Sequence, residues 1–421
     1  MSIMLPQSMD YSITHASLPE NMVSTQITLS PANGSTFGAG SVIQCDYLNR
    51  GFIVPDSIFF RFKLATTTAS GAQMIGTPCY TPFVRNETLI GSSVVESVNQ
   101  WNQTSHLLTT LSTDVASKYG LQSAYGYDAF AGANPSMSAM DGRTFSLNET
   151  ATFSGLLPGL LSNCEKLIPA FAMGQIRTQL TVDSIVNMFA NLATPILPTN
   201  IVISNFELVY TMVDAGANVE AMVRSLGTFY IKSQTVANSS VSLALGTTGS
   251  ISLVYNQRLA SVKSAFVLFT GTTSASLNKW ADWYDPTSNN GEVSINVGGI
   301  SYPQRPLSML NNKAGILQYL RNTTGSIYDR NNNLSINAVE WNRIGNDTTT
   351  TQEPGKFIVG VNLEKIHTPA LLTGISTQNS AITVLLSTST ATAQLHTVNL
   401  VLSYDALVEI DTASRQVSVK M

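Results

Sequence analysis

Short runs in which apolar and polar residues alternate recur along the whole chain, separated by clusters of Gly, Pro, Asn and Ser. Residues 57–64 (SIFFRFKL), 201–212, 227–236, 356–363 and 397–410 carry the β-branched and aromatic content of strands. Their alternation is partial, as expected for strands covered on both faces. Two stretches break the pattern. Residues 94–111 place Val94, Val95, Val98, Trp101, Leu107, Leu108 and Leu111 near helical spacing. Residues 306–320 do the same with Leu307, Leu310, Ile316, Leu317 and Leu320, after a proline suited to a first helical turn. The pattern predicts an all-β chain with short helices in the excursions between strands.

The order of these pieces repeats. The run SIFFRFKLATT from Ser57 is followed by Gly91-Ser92-Ser93-Val94-Val95 and a predicted helix. An irregular excursion then leads to GQIRTQLTVD from Gly174 and VISNFELVYTMV from Val202. In the second half SAFVLFTGTT begins at Ser264, with Gly298-Gly299-Ile300-Ser301-Tyr302 and another predicted helix after it. A second excursion leads to KFIVGVNLEK from Lys356 and VNLVLSYDALVEI from Val398. An offset of roughly 200 residues is the size of one β-domain, so the repeat predicts a duplicated unit. The join falls at Asp214-Ala215-Gly216-Ala217-Asn218, giving domains 1–215 and 216–421, each long enough for an eight-stranded sandwich.

The stretch 295–307, INVGGISYPQRPL, tests a different idea. A phosphate-binding loop needs further glycines, or a Gly-Lys-Ser/Thr ending, opening directly into a helix. Here the Gly pair runs into Ile300, Pro303, Arg305 and Pro306, and no Gly-Lys with that spacing occurs in the chain. The expected role is a corner: a strand ends, the chain turns, and a short helix begins.

Composition sharpens the picture. Of 421 residues, 43% are hydrophobic, enough for large cores, but only 11% are charged against a usual quarter. Neutral polar side chains make up the difference, which suits a protein that packs against other copies. The net charge is −4 with no basic arm, so sequence-specific nucleic-acid binding is not expected. Neither a secretory leader nor an apolar run near the ~20 residues of a membrane helix is expected. Cys45, Cys79 and Cys164 are odd in number and read as small buried hydrophobes, not a disulfide framework. The Asn-x-Ser/Thr triplets at Asn33, Asn86, Asn148, Asn322 and Asn346 are read as chance in so polar a chain.

No constellation for catalysis stands out. His15, His106, His367 and His396 are far apart, with no metal-ligand spacing, no HExxH and no G-x-S-x-G elbow. No catalytic, cofactor-binding or metal residue is therefore assigned. The stretch from Asp329 to Glu340 matches a calcium loop at positions one, three, five and twelve, through Asp329, Asn331, Asn333 and Glu340. It has Leu334 where the sharp turn needs Gly and only two carboxylates, so an Asn-rich surface loop is the expectation. Trp280, Trp283 and Tyr284 are open to two readings: a sugar-binding platform, or side chains that pack a loop onto a neighbouring subunit.

Four segments carry a resemblance: GFIVPDSIFFRFKL (51–64), LIGSSVVESVNQWNQTSHLL (89–108), SGLLPGLLSNCEKLIPAFAMGQIRTQLTV with IVISNFELVYTMV (154–182 and 201–213), and INVGGISYPQRPL. The second is similar to a strand, acidic residue and helix found at that point in a known family. Together they resemble the double jelly-roll major capsid proteins of small and mid-sized DNA viruses, such as polinton-like viruses, virophages and tailless membrane-containing phages. The resemblance implies two consecutive eight-stranded jelly-roll barrels per chain and no enzymatic activity. It implies a homotrimer acting as a pseudo-hexagonal capsomer, and an icosahedral shell tiled by such trimers in the virion. Implied partners are other copies of the chain, minor capsid and penton proteins, and a membrane beneath the shell in some relatives. The rival reading is a carbohydrate-binding or adhesin-like β-sandwich protein. A β-sandwich glycoside hydrolase is more remote, because the sequence marks no facing carboxylate pair.

Overall fold

Alternation of side chains decides which face of each strand is buried. In residues 59–67 the side chains of Phe60, Phe62, Leu64 and Thr66 point inward while Arg61 and Lys63 face solvent. Residues 176–182 and 382–388 alternate as regularly, burying Ile176, Thr178, Leu180 and Val182, and Ile382, Val384, Leu386 and Thr388. The computed structural model describes residues 22–67, 71–113, 120–127, 142–189, 197–244, 246–272, 280–310, 313–324, 336, 341, 355–365, 372–392 and 395–420.

Eight strands build the first part: β1 (Val23–Leu29), β2 (Val42–Asp46), β3 (Phe59–Thr67), β4 (Phe83–Ile90), β5 (Ser93–Asn99), β6 (Thr150–Leu156), β7 (Ile176–Val182) and β8 (Asn200–Asp214). Eight more build the second: β9 (Thr228–Leu243), β10 (Gly249–Tyr255), β11 (Val262–Thr272), β12 (Gly291–Val297), β13 (Ile300–Ser308), β14 (Ile358–Asn362), β15 (Ile382–Thr388) and β16 (Leu395–Asp411). The first set pairs antiparallel in two sheets, ordered β6-β3-β8-β1 and β2-β7-β4-β5. The second set forms β14-β11-β16-β9 and β10-β15-β12-β13. Adding eight to each label of the first pair of sheets gives the second pair. Each set is an eight-stranded jelly roll. Shorter strands decorate them; the last, Gln416–Lys420, folds back along β16.

Helices occupy the connections: α1 (Trp101–Ser112) between β5 and β6, α2 (Ala217–Ser225) between β8 and β9, and α3 (Lys313–Thr323) between β13 and β14. Consecutive strands of a jelly roll run in opposite directions, so the β3–β4 and β5–β6 excursions leave one end while α2 sits at the other. The first core is aromatic: Phe62 lies 5.3 Å from Phe83 and 5.2 Å from Phe153, ring centre to ring centre. The second is mainly aliphatic, with Val293, Ile295, Val384, Leu386, Leu400 and Leu402 all buried. One continuous apolar cluster joins the two.

Three expectations are corrected. Residues 93–99 are a strand, not the first turns of a helix; Gln100, at φ 49°, separates β5 from α1. Three β-branched valines there favour the pleated surface over the helix. The 295–307 stretch is a hairpin, not a corner into a helix. Gly298 and Gly299, at φ 60° and 86°, form its two-residue turn. Pro303 and Pro306 lie within β13, at the sheet edge where a missing N–H costs nothing, and α3 begins only at Lys313. The repeat also pairs differently at one place. The counterpart of β7 is β15, which residues 356–363 do not contain; those residues hold β14, the counterpart of β6.

Candidate assembly surfaces

Where the two halves meet, a carboxylate is buried. Glu96 on β5 is 3% exposed and points inward beside β4. Its oxygens accept hydrogen bonds from the Leu160 backbone N–H at 2.8 Å, the Thr88 hydroxyl at 3.2 Å and the Thr235 hydroxyl on β9. Burial raises its pKa and the three hydrogen bonds oppose the rise. Gly159 is adjacent: a Cβ there would lie 2.9 Å from Glu96 Oε2.

Further bonds line the same seam. The Glu165 N–H donates to the Lys232 carbonyl at 2.9 Å, and Asn163 Nδ2 to the Gln234 carbonyl at 2.9 Å. The Ser233 hydroxyl donates to the Leu160 carbonyl at 2.5 Å, and Asn238 Nδ2 donates to Gln100 Oε1 at 3.2 Å. Lys232 Nζ lies 3.3 Å from Glu165 and 3.9 Å from the fully buried Asp405. Asp405 in turn accepts from the Ser261 hydroxyl at 2.8 Å and the Thr373 N–H at 3.2 Å. The first half thus contributes β5 and the residues between β6 and β7; the second contributes the outer edge of β9. At the foot of the seam, the Gly91 turn packs against Gly174, whose Cβ position is 3.5 Å from the Arg415 carbonyl.

At the excursion end, α1 is buried on nearly every side although it is rich in polar residues. The hydroxyls of Thr109 and Thr110 bond back to the carbonyls of Ser105 and His106, both at 2.8 Å. Gln103 Nε2 donates to the Trp280 carbonyl at 3.2 Å, and the Trp280 indole N–H to the Asn187 carbonyl at 2.8 Å. Trp283 and Tyr284 are buried, at 0% and 1% exposure, which rules out a sugar platform made of these three rings. Nor do the three rings need a neighbouring subunit to cover them, because Trp280 and Trp283 pack against His106 of the chain's own first half.

The remaining candidate residues are scattered. Cys45 and Cys79 are buried and Cys164 is half-buried; all three are free thiols, and burial pushes Cys45 and Cys164 up to about 12. His106 and His396 are both buried, His106 against the Thr77 hydroxyl at 2.9 Å and His396 with its pKa lowered by burial to about 4. His15 and His367 lie outside the described residues, as does the Asp329–Glu340 loop apart from Ile336. Among the described residues no three His, Cys, Asp or Glu side chains are grouped to hold a metal. Sequence reasoning does not reach the seam partners of Glu96. The signal available is a lone acidic residue between valines in a strand, which must find donors if it faces inward.

Exposed apolar side chains mark what is left open. Val23 on β1 is 58% exposed, Ile300 on β13 57%, and Met222 on α2 69%. On α2, Val219 and Val223 pack onto Phe52, Phe171 and Ala215, so Met222 is on the outward face.

No family model matches the chain, and no curated protein matches it. Solved structures do. PBCV-1 VP54, fitted into a reconstruction of the virophage Sputnik, superposes with a TM-score of 0.64 at 11% identity, covering 98% of this chain and 99% of that one. The fold is the double jelly roll. The Faustovirus major capsid protein has the same double jelly roll at a TM-score of 0.63 and 10% identity, over 94% of this chain and 92% of its own. The mavirus major capsid protein superposes at 0.53 and 9%, over 100% and 95%. These neighbours are viral capsid proteins, and the double jelly roll of this chain spans nearly their whole length.

Proposed function

We propose that the chain is a viral major capsid protein that assembles as a homotrimer. The trimer presents six jelly rolls in a pseudo-hexagonal capsomer, and capsomers tile the icosahedral shell of a virion. The units divide at residues 215/216, just before α2, as 1–215 and 216–421. One observation carries the reading: a single chain repeats the same eight-strand order in two linked units, and capsid proteins match it end to end. Fold alone does not fix function, so the reading rests on the repeated strand order together with the match to capsid proteins over nearly the whole length. The role is structural, not enzymatic. Its partners are other copies of the chain, with minor capsid and penton proteins closing the shell; a membrane beneath it is compatible with the fold. The adhesin-like alternative loses its main support with the burial of Trp283 and Tyr284. Electron microscopy of the purified protein tests the proposal: three-fold particles with six-lobed outlines are expected, and isolated two-lobed particles would refute it.

A further inference from the structure

Three side chains of the second jelly roll meet away from the seam. Asp285 and Asn289 lie in the turn before β12, and Lys313 opens α3. Lys313 Nζ is 2.6 Å from Asn289 Oδ1 and 3.8 Å from Asp285 Oδ2. The buried rings of Trp341 and Phe357 flank the amine, with centres 5.9 and 5.3 Å away. An ion pair alone would bring the carboxylate closest to the lysine, but here the amide is closer. The turn holds that amide in place. Asp285, fully buried, accepts from the Thr287 N–H at 2.9 Å, the Thr287 hydroxyl at 2.6 Å and the Asn289 N–H at 3.0 Å. Ser288 and Asn289 both take the left-handed backbone, at φ 53° and 65°, although neither is glycine. A carbonyl bond of about 1.2 Å then puts the Asn289 amide carbon within about 4 Å of the amine. Reacting atoms held at roughly 3–3.5 Å are poised to react.

From this constellation we propose that Lys313 and Asn289 join in an intramolecular isopeptide bond, with Asp285 as the proton carrier. One proton passes from the Lys313 ammonium to Asp285, and the freed lone pair forms a bond to Cγ of Asn289. Asp285 hands that proton to Nδ2 and takes a second from Nζ. The Cγ–Nδ2 bond then breaks, and Nδ2 leaves as ammonia. No oxidant or co-reactant is consumed. Burial favours the neutral amine, lowering the Lys313 pKa, while the Asp285 charge opposes the fall. The bond closes a loop between positions 24 apart and staples the turn before β12 to the start of α3. Such a closure removes chain entropy from the unfolded state, as a disulfide does, but no reductant reverses it.

Mass spectrometry of the digested full-length chain tests the bond. Pro306 protects Arg305 from trypsin, so a second protease that cuts after Glu292 is needed to separate Asn289 from Lys313. With the bond present, Lys313 is also spared, and fragments 280–292 and 293–321 are expected to stay joined. The joined pair is expected to be about 17 Da lighter than the sum of its parts, the mass of ammonia. Lys313→Arg, Asn289→Ala and Asp285→Ala are each expected to release fragment 280–292 unjoined. Separate fragments of full mass from the unaltered chain overturn the proposal, whatever the variants do. So does a loss of about 17 Da confined to fragment 280–292, which marks a succinimide at Asn290-Gly291 instead. A joined pair that persists in Asp285→Ala overturns the role given to Asp285.

Discussion

The Thr235 hydroxyl of the second jelly roll donates to the carboxylate of Glu96, a residue otherwise enclosed in the first. The two are 139 positions apart, and the bond ties β5 to β9 across the junction. Replacing Glu96 by Ala strands the Leu160 N–H and two threonine hydroxyls, and a loss of about 2–4 kcal/mol in unfolding free energy is expected. Glu96→Gln keeps an acceptor in place and stays within about 1 kcal/mol of the unaltered chain. Urea unfolding of the three proteins checks this, and equal losses for Ala and Gln would contradict it.

The same carboxylate sets a pH dependence. Its folded pKa is raised above the usual value of 4.5 by burial, so the folded chain holds a proton that the unfolded chain has released. The resulting stabilisation is complete below about pH 4.5 and is lost as pH rises through the folded value. The melting temperature of Glu96→Gln is therefore expected to fall less over that interval than that of the unaltered chain. Parallel curves for the two proteins would show that Glu96 does not titrate differently on folding.

Gly159 leaves room for that carboxylate. Gly159→Ala places a methyl group 2.9 Å from Glu96 Oε2, and an overpacking cost of about 1–3 kcal/mol is expected. In the Glu96→Ala background the obstruction is gone, so the cost is expected to shrink by at least half. A double-mutant cycle reads the coupling directly; strict additivity would mean that the loop gives way instead.

Phe60 sits among Phe62, Tyr80, Phe83, Trp101 and Phe206, with ring centres 5.6–6.1 Å away. Phe60→Ala is expected to cost about 3–5 kcal/mol, whereas Leu147→Ala, at a site 62% exposed, stays within about 0.5 kcal/mol. Chemical denaturation checks both, and comparable effects at the two sites would place the first core elsewhere.

Much of this architecture is legible from side-chain period. The runs around Phe60 and Leu208 alternate strongly enough to mark β3 and β8, and the two glycine-containing turns before β5 and β13 correspond as expected. Period fails where two rules compete. Alternation breaks in β5 because Val95 is an extra, unpaired residue there: Thr88 pairs with Glu96 and Leu89 with Val94, so the valines lose the period of two. Pro306 resembles a helix start, but an edge strand tolerates it equally. Strand β15 is hidden among Ser and Thr, whose hydroxyls weaken the contrast between its faces. The seam is not legible at all. Nothing local to Glu96 names Leu160 or Thr235 as its donors, since only the packing of one jelly roll on the other brings them together.

The solution mass of the purified chain, measured by light scattering after size exclusion, tests the central claim most directly. A capsomer of three 45.2 kDa chains is expected at about 136 kDa, stable on dilution. A single species at 45.2 kDa, at every concentration and salt, would contradict it.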